Sequence, residues 1–125
     1  MEDTSQLHAG FPTVDWAFID DMRLLQIEGE PDFVEEMIAL FLDETPALCD
    51  MLRLSVADVN PVMLRRAAHT LKGNCNSIGA KRMAELSQDL ERIGKQETTQ
   101  GAEVIFLELE RELGNVRQAF EKKSK

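Results

Sequence analysis

The sequence predicts an all-α protein, an antiparallel four-helix bundle with an additional short N-terminal helix across one end. Three observations carry this. Apolar residues recur at three- and four-residue steps along most of the 125 residues, the period of a helix with one buried stripe. Strand-like alternation is rare, and β-branched residues are scattered. Chain breakers fall at intervals: Gly29 with Pro31, Asn60 with Pro61, Gly79, and the polar run Gln96–Gly101. The segments between them have helix length and short connections. Such helices must bury their stripes against one another.

Residues 1–12 are polar and contain glycine, so they read as a flexible tail in which His8 has no assigned role. Residues 13–122 form the bundle domain. Its first helix runs from Asp15 to about Glu28 on Trp16, Ile19 and Met22, with Thr13 or Asp15 as cap. The second begins near Pro31. It carries Asp32, Glu35 and Glu36 in its first turns, where negative charge suits the positive end of the helix dipole. Phe33, Val34, Met37, Ile38, Phe41, Leu42, Leu48 and Leu52 form its stripe. Pro46 removes one helical hydrogen bond and crowds the preceding turn. The apolar spacing resumes in phase at Leu48, which predicts a kinked continuation rather than a break.

Asn60-Pro61 opens the third helix: a capping side chain, then a residue whose φ is already helical. That helix should reach Ser77 and stop at Gly79. The fourth spans Ala80 to about Gln96 with Met83, Leu86, Leu90 and Ile93 inward. The fifth spans Ala102 to about Lys122 with Ile105, Leu109, Leu113, Val116 and Phe120 inward, and its basic end complements the negative dipole end.

Charge narrows the function classes. Lys plus Arg is 14 against 23 Asp plus Glu, a net charge of −9, and the sequence pI is about 4.7. Such a chain repels phosphate backbones, so nucleic acid is not expected as a partner. Tyr is absent and Trp occurs once, which argues against base stacking. No stretch approaches the roughly 18 apolar residues of a membrane span, and the N-terminus lacks the apolar core of a secretory signal. Cys49 and Cys75 are far apart and form no C-x-x-C, so neither a disulfide framework nor a metal pair is expected. Reduced thiols, with Cys75 on an apolar stripe, suit a cytoplasmic location. No E-x-x-H pair suggests a metal site, and no G-x-x-x-x-G-K loop cradles a nucleotide. The chain is therefore expected to be no enzyme in its own right and to hold no cofactor.

The third helix is the informative one. At 100° per residue, Leu64, Ala67, Ala68, Leu71, Cys75 and Ile78 gather into one stripe. His69 lies roughly 140° from the stripe's centre and should face solvent. Arg65, Arg66, Lys72, Gly73 and Asn76 are its neighbours on that face. Gly73 costs about 1 kcal/mol relative to Ala in a helix interior. On an outer face it removes a side chain that would stand beside the ring, which suits close approach by a second macromolecule. Arg65, Arg66, Lys72, Lys81 and Arg82 are expected to form a cationic patch that holds an anion on the imidazole. A free imidazole is roughly three-quarters unprotonated at neutral pH. It is therefore a nucleophile able to carry a covalent group. With no means of making a phosphoryl donor, the chain should receive such a group and pass it on.

The run Ala68-His69-Thr70-Leu71-Lys72-Gly73, then five residues, then Gly79-Ala80 resembles the A-H-x-L-K-G-x-x-x-x-x-G-A signature of histidine-containing phosphotransfer (HPt) domains. Weaker similarity extends over about Val14–Phe120. The resemblance implies a four-helix bundle whose phosphoacceptor is His69, phosphorylated on Nε2 by a receiver aspartate or a sensor kinase. It implies Lys72 as the phosphate-side cation and Gly73 as the clearance residue. Expected partners are response-regulator receiver domains and sensor (hybrid) histidine kinases, with Mg²⁺ supplied by the receiver. Glu91 falls where some members place a glutamine hydrogen-bonded to the histidine. A carboxylate there can accept from Nδ1–H and would repel a phosphate. Docking is expected around His69 from Arg65, Arg66, Gly73, Asn76 and Glu91, with apolar residues of the first helix such as Ile19 or Leu24. Three functions stay open: a phosphocarrier in a multistep two-component relay, the phosphoacceptor module of a larger histidine kinase, or a helical adaptor that binds receivers without being phosphorylated.

Overall fold

A computed structural model describes residues 6–123, which form five helices: α1 (Trp16–Arg23), α2 (Phe33–Ala57), α3 (Pro61–Ser77), α4 (Lys81–Lys95) and α5 (Ala102–Lys123). Side chains fix three of the starts. The Asp15 carboxylate accepts from Phe18 N–H, Asp32 accepts from Val34 and Glu35 N–H, and Asn60 accepts from Met63 N–H. Each satisfies donors that a helix leaves open at its first turn. α2 runs unbroken through Pro46. The proline is exposed, so the carbonyl left without a donor lies on the side nearest water, while the buried Thr45 turns its hydroxyl back onto Phe41 O at 2.6 Å.

The stripes of α2–α5 meet in one core of Leu52, Leu64, Leu71, Met83, Leu86, Leu90, Leu109 and Val116. α3 packs most extensively on α4. Gly94 sets their separation at one end: a Cβ there would lie 2.8 Å from Pro61 O and 2.8 Å from Arg65 N. α1 lies across one end of the bundle. Asp15 N–H donates to Gly79 O at 2.8 Å, and Trp16 meets Phe120 edge-on at 5.7 Å. Gly79 ends α3 with φ +74°, and a Cβ there would crowd Phe18 at 3.1 Å. A left-handed residue closing a helix is glycine's usual place.

Three expectations need correction. α1 ends at Arg23, not near Glu28. Leu24, Leu25 and Ile27, just beyond it, are not drawn into the core and stand exposed. Between them the Gln26 amide organises the turn, donating to Ile27, Glu30 and Pro31 carbonyls and accepting from Phe33 N–H. Ile19 is buried in the core and is unavailable for docking, whereas Leu24 is exposed. Residues 1–5 of the expected tail lie outside the described residues. Residues 6–12 are not loose: Leu7 packs on the core, Leu7 O accepts from Arg82 Nε at 2.9 Å, and Pro12 O accepts from Arg82 N–H at 3.0 Å. His8 Nε2 meets Asp89 Oδ2 at 2.6 Å. No described helix is long and apolar enough to cross a membrane.

Candidate functional site

His69 stands midway along α3 with its side chain 69% exposed. The core stripe predicted for this helix (Leu64, Ala67, Ala68, Leu71, Cys75) is buried beneath it, so the helix cannot rotate without exposing apolar surface. The ring is held from behind. Nδ1 lies 2.7 Å from Glu91 Oε2 on α4. A carboxylate only accepts, so Nδ1 carries the proton in the neutral ring and Nε2 keeps its lone pair. Nε2 meets no hydrogen-bond partner among the described residues.

Glu91 is 6% exposed, and three groups partner it, two of them charged. Lys72 Nζ donates to Oε1 at 2.6 Å, His69 donates to Oε2, and Lys95 Nζ lies 3.7 Å from Oε2. Burial alone would push the Glu91 carboxyl up. Hydrogen bonds from Lys72 and His69, with the charges of Lys72 and Lys95, outweigh it and hold the carboxyl below its ordinary value. Lys72, expected on the phosphate side, is thus engaged with Glu91 when no phosphate is present.

An open cavity of about 570 Å³ runs beside the ring, lined by Arg65, Arg66, His69, Thr70, Glu91 and Lys95. Arg65 and Arg66 are exposed and make no ion pair among the described residues. A Cβ on Gly73 would meet nothing within 4 Å, and Asn76 is exposed one turn beyond it. The two expected cations from the start of α4 are elsewhere. Arg82 is buried against α5, paired with Glu108 and Glu112 at 3.1 Å each. Lys81 Nζ lies 5.1 Å from the Phe18 ring centroid. Arg82 and Glu91 are nine residues apart on one helix, which places them on opposite faces, so Arg82 cannot serve His69. Lys95, which the sequence reading passed over, takes that place. The signal was available: Lys95 follows Glu91 by four residues, one helical turn.

Neither cysteine competes as a nucleophile. Both cysteines are buried and free. Burial, aided by Glu110, pushes the Cys49 thiol up to about 11, and burial pushes Cys75 up as well. Among the described residues, no group of three or more His, Cys, Asp or Glu side chains could hold a metal ion.

The fold and site define a helical bundle presenting one surface imidazole whose tautomer is set by a buried carboxylate. The Hpt domain family model matches residues 36–119, and the chain belongs to that family. It is 36% identical over 66 residues to histidine-containing phosphotransfer protein 5 of Arabidopsis thaliana, covering 50% of this chain and 42% of that one. It is 28% identical over 99 residues to pseudo histidine-containing phosphotransfer protein 5 of Oryza sativa subsp. japonica, covering 78% and 65%. The chain spans about half the length of the curated relatives it matches. In fold it is similar to the crystal structure of histidine-containing phosphotransfer protein B (HptB) from Pseudomonas aeruginosa PAO1. The TM-score is 0.80 at 21% identity over 90% of this chain and 94% of that one.

Proposed function

We propose that this protein is a phosphocarrier of a multistep two-component relay in the cytoplasm. His69 accepts a phosphoryl group from the aspartate of one receiver domain, including the receiver of a hybrid sensor kinase, and passes it to another. The observation that carries this reading is the exposed His69 ring with Nδ1 tied to buried Glu91 at 2.7 Å, which leaves Nε2 as a lone pair facing solvent. In the transfer, that lone pair forms the N–P bond. The bond between phosphorus and the aspartyl oxygen breaks, and the oxygen leaves with its electron pair as a carboxylate. The ring becomes an imidazolium that keeps its Nδ1 proton and donates it in a hydrogen bond to the Glu91 carboxylate. Transfer to the second receiver runs the same step in reverse.

The receiver supplies Mg²⁺ and its own carboxylates, and this chain supplies a positioned nucleophile without a nucleotide site. Lys72 and the unpaired Arg65 and Arg66 offset the charge that arrives with the phosphoryl group. Gly73 clears the approach, and Asn76 extends the docking face. The alternative is a helical adaptor that binds receivers without being phosphorylated.

Incubation with a phosphorylated receiver separates the two. Label should pass to the wild type as an acid-labile, alkali-stable phosphate, and His69→Gln should take none. Label that persists on His69→Gln overturns the reading. Receiver binding by the wild type without any phosphate transfer establishes the adaptor instead.

A further inference from the structure

α5 has a second face that the bundle leaves uncovered. Val104, Leu107, Arg111, Gly114 and Gln118 follow one another at steps of three and four residues, so they form one stripe along the helix. All of them are exposed, and the two apolar side chains keep 48% and 56% of their surface. A Cβ on Gly114 would meet nothing within 4 Å. This glycine therefore stands in a helix interior, where alanine is more stable, with no contact inside the chain that requires it. The stripe is remote from His69. α5 packs on α4 and α2 and makes no contact with α3 among the described residues.

Charge on the outer side of this helix is polarised. Its first half carries Glu103 and Glu110; its second half carries Arg111, Arg117, Lys122 and Lys123 against Glu121. Glu103 and Arg117 make no ion pair among the described residues. Glu103 also lines, with Phe106, Leu107 and Glu110, a cavity of about 420 Å³ between α2 and α5, and the arginine there, Arg53, is already held by Asp50 and Glu110. Such a helix complements itself when a second copy runs antiparallel to it. About a twofold axis between Glu110 and Arg111, Leu107 of each copy meets the bare Gly114 of the other. The same register sets Glu103 against Arg117 and Glu110 against Arg111. From these observations we propose that α5 is a homodimer interface, two copies of this chain pairing antiparallel along the Val104–Gln118 stripe. Each copy then keeps His69 on the side away from the interface, so the dimer is a carrier with two sites open at once. The proposal does not depend on what His69 carries.

The net charge of −9 on each copy opposes association at long range, so the dimer should be weak. It is best measured in about 0.15 M salt, where charges farther apart than about 8 Å are screened. Sedimentation velocity of the full chain from about 10 μM to about 1 mM, the range of weak association, should show monomer converting to dimer. Leu107→Gln should raise the dissociation constant about tenfold, the scale of one apolar anchor. Gly114→Gln should weaken the dimer while raising the denaturation midpoint of the monomer, a split that a purely internal role for Gly114 would not produce. Glu103→Arg should weaken the dimer about threefold or more, because symmetry places each repulsive contact twice.

Charge reversal tests the register. Residues 103 and 117 lie roughly 21 Å apart along α5 at 1.5 Å per residue, so they cannot touch within one copy. Arg117→Glu alone should weaken the dimer as Glu103→Arg does, and the double variant should return toward wild type. An equimolar mixture of the two single variants should associate more tightly than either alone. Wild type that stays monomeric to about 1 mM overturns the proposal. A dimer indifferent to Leu107→Gln overturns it too, since the contact then lies elsewhere. Failure of the double variant to recover rejects the antiparallel pairing.

Discussion

α4 carries two buried charge clusters on opposite faces, and they are built in opposite ways. Toward α5, Arg82 sits between Glu108 and Glu112, all three buried, with Leu7 O as a further acceptor. Toward α3, Glu91 is buried among partners that reach solvent: His69, Lys72 and Lys95. The first cluster is closed. It joins the N-terminal segment, α4 and α5, and no visiting molecule can reach it. The second is open. Its carboxylate is hidden, but each group it holds keeps a face toward water. Burial of charge is common to both, so burial alone does not mark a site. What marks the site is a buried anchor whose partners remain accessible.

The sharpest way to break this comparison is to remove the anchor of the closed cluster. Arg82→Met removes the buried cation that Glu108 and Glu112 share, leaving Glu108 its longer contact with the exposed Arg111 at 3.9 Å, and breaking a buried ion pair costs about 3–5 kcal/mol. Glu112 has no slack to absorb this, since Oε2 already lacks a partner among the described residues. Denaturant titration should show that loss. The folded fraction should still load phosphate on His69 at the wild-type rate. A selective loss of loading per folded molecule would mean the two faces of α4 are coupled.

Glu91→Gln probes the open cluster and should cost less, about 1.5–3 kcal/mol, the worth of a hydrogen bond to a charged group. Its effect depends on pH. The Glu91 carboxyl is held below its ordinary value of 4.5 in the fold, so the ionised form stabilises the protein fully above that value. The contribution is lost as pH falls through the lowered folded value. The stability gap between wild type and Glu91→Gln should therefore be constant near neutrality and shrink below about pH 4.5. A gap that widens on acidification would reverse the assigned direction. The amide still offers an oxygen to Nδ1–H, so loading should slow rather than vanish.

The His69–Lys72 half of the open cluster was legible because it lies on one helix. Asn60-Pro61, the stripe through Leu64, Leu71 and Cys75, and the outward place of His69 all follow from local spacing, and α3 forms as spacing predicts. Elements that depend on partners were harder to read. α5 carries Glu108 and Glu112 inward, although acidic residues read as surface. Their burial requires Arg82 from another helix, and pairing of that kind leaves no periodic signal. The same blindness put Arg82 beside His69, kept residues 6–12 loose, and extended α1 past Arg23. Lys95 belongs to the other kind of miss: its turn-wise spacing from Glu91 was visible, but its value appears only once α3 and α4 are brought together at Gly94.

The smallest expected effect separates the two glycines on α3 and α4, Gly73 and Gly94. Gly94 is required by contact, because a Cβ there would strike the backbone of Pro61 and Arg65. Gly73 has open space where its Cβ would stand, so within this chain alone alanine is the better residue. Gly73→Ala should raise stability by up to about 1 kcal/mol, read from the denaturation midpoint. Loading from phosphoramidate should be unchanged, since a small donor needs no clearance. Transfer from a phosphorylated receiver should slow, because the added methyl stands one turn from His69 on the face that a protein partner must cover. If receiver transfer stays at the wild-type rate, clearance is not the reason a destabilising glycine stands there, and the docking face must lie on the Arg65–Arg66 side of the ring.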